Sequence, residues 1–126
     1  KLGYLDNWNH SRFRAACRYA EGLSRCSSVQ VPQFDFTSPD SHVFHLFVVR
    51  CKKRDSLQSF LLDRGIQTGI HYPVPIHLHK AFFSKSFPKG SCPVSEKLAE
   101  EIISLPMFPE ITDDQIDYVI QTILEF

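Results

Sequence analysis

Apolar positions at the start of the chain recur with helical spacing: Leu2, Leu5, Trp8, Phe13, Ala16, Tyr19 or Ala20, and Leu23. This predicts a first helix that stops where residues 24–28 turn polar. No Ser, Thr, Asp or Asn precedes Leu2 to cap it, and Lys1 stands where a Met would open a chain. We therefore expect the helix to continue upstream and the sequence to be a piece of a longer one. Residues 29–31 read as a short strand stopped by Pro32, residues 37–41 as a turn, and residues 43–50 as the strongest strand. Both faces of that strand are mostly apolar: Phe44, Leu46 and Val48 on one, Val43, His45, Phe47 and Val49 on the other. Both should be covered, by helices of this chain or by a further domain.

A second helix is expected over residues 54–64 with Leu57, Phe60 and Leu61 inward, Gly65 in the left-handed position after it and Ile66 adding an apolar contact. Residues 67–71 read as a short strand entering Tyr72-Pro73-Val74-Pro75, which the two prolines stiffen. Residues 77–83 suit one or two helical turns, and residues 84–91 a loop. Pro93 fits the first turn of a third helix carrying Leu98, Ala99, Ile102 and Ile103 and ending before Pro106. Thr112 and Gln115 form a capping box, Asp113 and Asp114 suit the first turn, and Ile116, Val119, Ile120, Ile123 and Leu124 make one stripe. The order is helix, strand, strand, helix, strand, helix, helix. It predicts an α+β fold with a three- or four-stranded sheet packed with helices.

Composition narrows the function classes. With 126 residues, 43% hydrophobic, the chain can fill one core, which rules out a disordered segment. Its mass predicts a folded surface of roughly 6,900 Å². Fourteen basic and fourteen acidic side chains balance, so there is no footprint for nucleic acid. No apolar run approaches a bilayer span, and no signal-like segment opens the chain, so no membrane is implied and a cytoplasmic location is expected. Cys17, Cys26, Cys51 and Cys92 sit in no metal or redox spacing and read as reduced structural thiols.

The densest polar group is His71, Tyr72, His77 and His79. Three imidazoles could bind a metal, but the spacing matches no standard site and no acidic residue lies near in sequence, so we assign no metal. His71 and Tyr72 close a strand on a stiffened segment, where an imidazole and a phenol can be held toward a ligand. A partly buried pair with backbone partners is an equal alternative. His45 reads as a core histidine, Arg50 as a solvated strand end with a carboxylate or phosphate partner as its alternative, and Arg12, Arg14, Arg18 and Arg25 as a solvated helix face. No phosphate loop, nucleophile elbow or zinc-protease motif is present.

Several segments nevertheless occur in a telling order: Leu5-Asp6-Asn7-Trp8-Asn9 with Arg12, Tyr19 and Ala20; His45-Leu46-Phe47-Val48-Val49-Arg50; Arg64-Gly65-Ile66 with Gly69; His71-Tyr72-Pro73-Val74-Pro75-Ile76-His77; and Ser104-Leu105-Pro106-Met107-Phe108-Pro109 with Thr112, Gln115 and Val119. In these the chain resembles the C-terminal domain of the DegT/DnrJ/StrS family of pyridoxal-phosphate sugar aminotransferases. The resemblance implies the small domain of a fold-type-I enzyme, usually a homodimer, that moves an amino group, commonly from glutamate, onto a nucleotide-linked keto-sugar.

On that resemblance residues 1–25 would belong to the interdomain helix and residues 26–126 to the small domain. The large domain, with the Schiff-base lysine and most contacts to pyridoxal 5'-phosphate, would lie outside this sequence. None of the lysines here matches the catalytic one, so no catalytic or cofactor-binding residue is assigned. His71, Tyr72 and His77 are the implied substrate-binding residues. The family's usual Gln-Pro near His79-Lys80 is absent, which bears on substrate preference. The chain alone is expected to be inert, because the coenzyme needs its lysine and a partner for its ring nitrogen. The alternative is a binding or regulatory module that kept this domain without catalysis.

Overall fold

The computed structural model describes residues 2–82 and 87–126. Lys1, the end at Phe83 of the expected helical turns, and the start of the loop expected over residues 84–91 lie outside them. Four α-helices and two strands follow in the order α1 (Leu5–Leu23), β1 (Phe47–Arg50), α2 (Arg54–Leu62), α3 (Pro93–Glu101), β2 (Ile102–Leu105) and α4 (Asp113–Leu124). Short 3-10 turns occupy Leu2–Tyr4, Ile76–Leu78 and Lys80–Phe82.

The sheet is an antiparallel pair in which Phe47 faces Leu105, Val48 faces Ser104, Val49 faces Ile103 and Arg50 faces Ile102. A single bridge flanks each side, Gln30 to Arg50 and Gly69 to Ser104. The expected strands at residues 29–31 and 67–71 are thus present as chain segments but shrink to one bridge each. Four segments lie side by side, and only the inner two are regular strands. Pro32 and the Tyr72–Pro75 stretch follow these edges closely, and proline cannot extend a ladder.

Side-chain alternation divides the pair into two faces. Phe47, Val49, Ile103 and Leu105 are buried in the core with Ala16, Tyr19 and Leu23 of α1, Leu57 and Leu61 of α2, and Ile116, Ile120 and Ile123 of α4. The Tyr19 ring stacks on Phe47 at 5.2 Å and its hydroxyl donates to the Pro106 carbonyl at 3.1 Å, tying α1 to the exit of β2. On the other face lie Val48, Ser104 and Gly69, overlaid by the segment that carries His71. Helices of this chain therefore cover one face, and the second face carries the polar residues.

Several expectations are corrected. The strand expected over residues 43–50 begins only at Phe47, because Phe44 adopts a left-handed φ of 44°. That conformation costs a non-glycine residue on the order of 1–3 kcal/mol. It swings the ring inward against Phe13, Phe34 and Phe47, and burying a phenylalanine returns about 1.5–3 kcal/mol. His45, expected in the core, is consequently exposed.

The third helix ends at Glu101, and Ile102 and Ile103 begin β2 with no intervening loop. Their spacing from Leu98 and Ala99 fits a helix, but the β1 edge supplies better partners for two β-branched residues. Arg54 completes the switch by donating to the Ala99 and Ile102 carbonyls, each at 3.3 Å. Leu124, Leu2 in the opening 3-10 turn and Leu5 at the start of α1 face outward rather than inward.

The arginines are not merely solvated. Arg18 donates twice to Asp117 of α4, at 2.6 and 2.7 Å, and Arg14 pairs with Asp113. Arg12 donates to the Val43 carbonyl at 2.9 Å. Arg50 pairs with Glu101 at 2.7 Å and holds that carboxyl below its ordinary pKa.

Two local predictions hold in detail. Thr112 and Gln115 exchange the two bonds of a capping box, at 3.3 and 3.0 Å. Gly65 at φ 76° ends α2, with its N–H on the Leu62 carbonyl and the Ile66 N–H on the Leu61 carbonyl, both at 2.9 Å. This is the Schellman arrangement, and Leu61 and Ile66 supply its apolar contact within the core.

Candidate functional site

The polar segment leaves the sheet edge at Gly69 and is fastened at two points. Gly69 exchanges both backbone bonds with Ser104, at 2.7 and 3.1 Å. Two residues on, and therefore on the same face, His71 places its Nδ1 2.9 Å from the Ser104 hydroxyl oxygen. The second fastening is at His77, whose Nε2 lies 3.0 Å from Glu96 Oε1 of α3.

Glu96 serves several donors at once. The Gly90 N–H donates to both carboxylate oxygens, at 2.8 and 2.9 Å, and the Cys92 N–H donates at 3.3 Å. Desolvation alone would raise the Glu96 pKa. The bonds from His77, Gly90 and Cys92 outweigh it and hold the carboxyl below its ordinary value. Glu96 also stands in the first turn of α3, where the helix dipole favours an anion.

Between these fastenings Tyr72 has no hydrogen-bond partner among the described residues. It is 73% exposed, and its ring meets His71 edge-on at 5.6 Å. The peptide joining the two is cis. Tyr72 and His77 open onto an apolar groove of about 630 Å³, whose walls include Val74, Ile76, Phe82, Phe87, Leu98 and Ile102. Tyr72 supplies a phenol at its mouth, and the apolar walls suit the faces of a ring-shaped ligand.

Of the three residues nominated from sequence, His71 and Tyr72 are adjacent and outward, whereas His77 is half-buried and engaged by Glu96. Sequence reasoning found no acidic partner for the histidines because Glu96 is 19 residues from His77. It missed Ser104 as well, although the nominated Ser-Leu-Pro-Met segment contains it. Among the described residues, no three His, Cys, Asp or Glu side chains converge as metal ligands. Among the described residues the groove walls include no lysine to form an imine with a coenzyme and no carboxylate to face a pyridine nitrogen, so those residues by themselves do not fit pyridoxal phosphate.

A second recess, of about 500 Å³, lies at the far end of β1 and includes Arg50, Lys52, Lys53 and Lys97 with Glu101. No helix is long and apolar enough to cross a membrane among the described residues.

Comparison with known proteins gives one answer. The chain is 40% identical over its whole length to a dTDP-3-amino-3,4,6-trideoxy-alpha-D-glucose transaminase from Streptomyces venezuelae and covers 33% of that protein. It is 40% identical, again over its whole length, to a pleiotropic regulatory protein from Geobacillus stearothermophilus, of which it covers 34%. The crystal structure of DesV from S. venezuelae, solved in complex with a ketimine intermediate, superposes with a TM-score of 0.90 at 40% identity, over 98% of this chain and 33% of that one. The chain therefore spans about a third of the length of the curated relatives it matches. A family model matches residues 1–124, and on this evidence the chain belongs to the DegT/DnrJ/EryC1/StrS aminotransferase family.

Proposed function

We propose that this chain is the C-terminal small domain of a pyridoxal-phosphate-dependent aminotransferase whose acceptor is a nucleotide-linked keto-sugar. Its part in the reaction is to hold and orient that sugar. The observation that carries this reading is the His71–Tyr72 pair, fastened to β2 through Ser104 and presented beside an apolar groove. The imidazole and the phenol offer hydrogen bonds to sugar hydroxyls or phosphate oxygens, and the apolar walls accept ring faces. His77 contributes by anchoring the segment to Glu96.

The coenzyme supplies the electron sink for amino transfer, and its lysine and ring-nitrogen partner would belong to the rest of the full-length protein. The total surface supports an incomplete enclosure. At 8,493 Å² it exceeds by roughly 1,600 Å² the value expected from the mass, about twice the roughly 800 Å² that one partner contributes to a standard interface. A partner domain, a homodimeric second subunit, glutamate as donor and a cytoplasmic location complete the proposal.

The test is to purify the full-length protein that contains this chain and follow its visible coenzyme absorbance on adding glutamate and then a dTDP- or UDP-linked keto-sugar. Conversion by the donor and reversal by the sugar support the reading. Absence of any coenzyme band overturns it. A second reading, a regulatory protein that kept the fold, is favoured by the naming of the Geobacillus relative, and the same experiment decides it.

A further inference from the structure

We propose that Ser104 is a positioning residue that sets the ring orientation of His71, and that Gly69 is glycine so that the ring can occupy the place of its missing side chain. This deepens the substrate-holding role given to His71 and rests on that reading. Ser104 and Gly69 are bridge partners, and His71 follows Gly69 by two residues, so all three lie on one face of the sheet. A Cβ on Gly69 would fall 2.5 Å from His71 Cε1 and 3.2 Å from Nδ1. Such a contact is closer than any side chain tolerates, and what it meets is a ring whose Nδ1 is held by the Ser104 hydroxyl. Ser104 is 4% exposed, and its hydroxyl lies 2.9 Å from Nδ1.

The arrangement fixes which nitrogen works. Nδ1 is occupied by the hydroxyl, so Nε2 is the atom left for a ligand. A free surface imidazole would rotate about two torsions and offer either nitrogen in many directions. Here the hydroxyl and the gap at Gly69 select one, which lowers the ordering cost at the moment a ligand binds.

The experiment uses the full-length protein. Ser104→Ala should raise the KM for the nucleotide sugar about 5–10-fold while kcat stays within about twofold, and Ser104→Thr, which keeps the hydroxyl, should restore most of it. The ring nitrogen NMR signals of His71 should show one ordered tautomer in the natural protein and in Ser104→Thr, and averaged signals in Ser104→Ala. Gly69→Ala should reproduce the averaged signals. In a His71→Ala background, Ser104→Ala should have no further effect on KM. An undiminished effect in that background, or unchanged His71 signals in Ser104→Ala, overturns the proposal. If His71→Ala leaves the sugar KM unaltered while the NMR signals still follow Ser104, the positioning stands and the substrate-holding reading falls.

Discussion

His77 and Glu96 sit 19 residues apart in the chain, on a 3-10 turn and a helix, yet their Nε2 and Oε1 atoms are 3.0 Å apart with both side chains largely sheltered. The pair closes the base of the polar segment, and Glu96 draws the Gly90 and Cys92 amides onto the same carboxylate. Because the folded state holds this carboxyl below its ordinary pKa, its contribution to stability is fully present above about pH 4–5. It is lost as the pH falls through the lower, folded-state value. Glu96→Gln should lower the melting temperature by a few degrees at neutral pH and flatten the acid limb of the stability profile. Calorimetry between pH 3 and pH 7 reads both effects, and an unchanged acid limb refutes the assignment.

Tyr72 offers a sharper test of the site, because its phenol is exposed and its removal leaves the core untouched. Tyr72→Phe should raise the sugar KM about 3–10-fold, the worth of one hydrogen bond, with the melting temperature unaltered. Steady-state kinetics of the full-length enzyme check it. A KM within error of the natural protein would remove Tyr72 from the binding set.

The capping box makes a prediction about stability alone. Thr112→Ala leaves the Gln115 N–H at the start of α4 without its side-chain acceptor and should cost about 1 kcal/mol. Denaturant unfolding would show a lower midpoint at unchanged slope. Thr112→Ser, which keeps the oxygen, should recover most of the loss.

The outward apolar side chains Ile76, Phe82, Phe87 and Val94 predict how the isolated 126-residue chain behaves. It should self-associate at high concentration and bind a hydrophobic dye. Ile76→Ser with Val94→Ser should suppress both, as read by light scattering and fluorescence. A monodisperse, dye-silent natural chain contradicts this.

Sequence alone was most informative where the determinants are local. Gly65, Pro93, and Thr112 with Gln115 each act on backbone groups within a few residues, so their outcomes could be read without knowing the fold. The helical stripes of α2 and α4 and the strand character of Val48 and Val49 followed from periodicity. The family resemblance rested on motifs that span most of the chain, and it drew attention to His71, Tyr72 and His77.

What only the tertiary structure decided depends on partners distant in sequence. Ile102 and Ile103 satisfy a helical period as well as a strand, and the β1 edge with Arg54 settles the matter. Phe44 abandons its strand for an aromatic cluster drawn from α1 and the loop before β1. The site repeats the lesson: the histidines were legible, but Ser104 and Glu96, which determine where those imidazoles point, reach them only across the fold. A chain writes its own turns and caps. Which nitrogen of His71 is taken up within the fold is settled by a hydroxyl 33 residues away, because a hydrogen bond is chosen by distance in space.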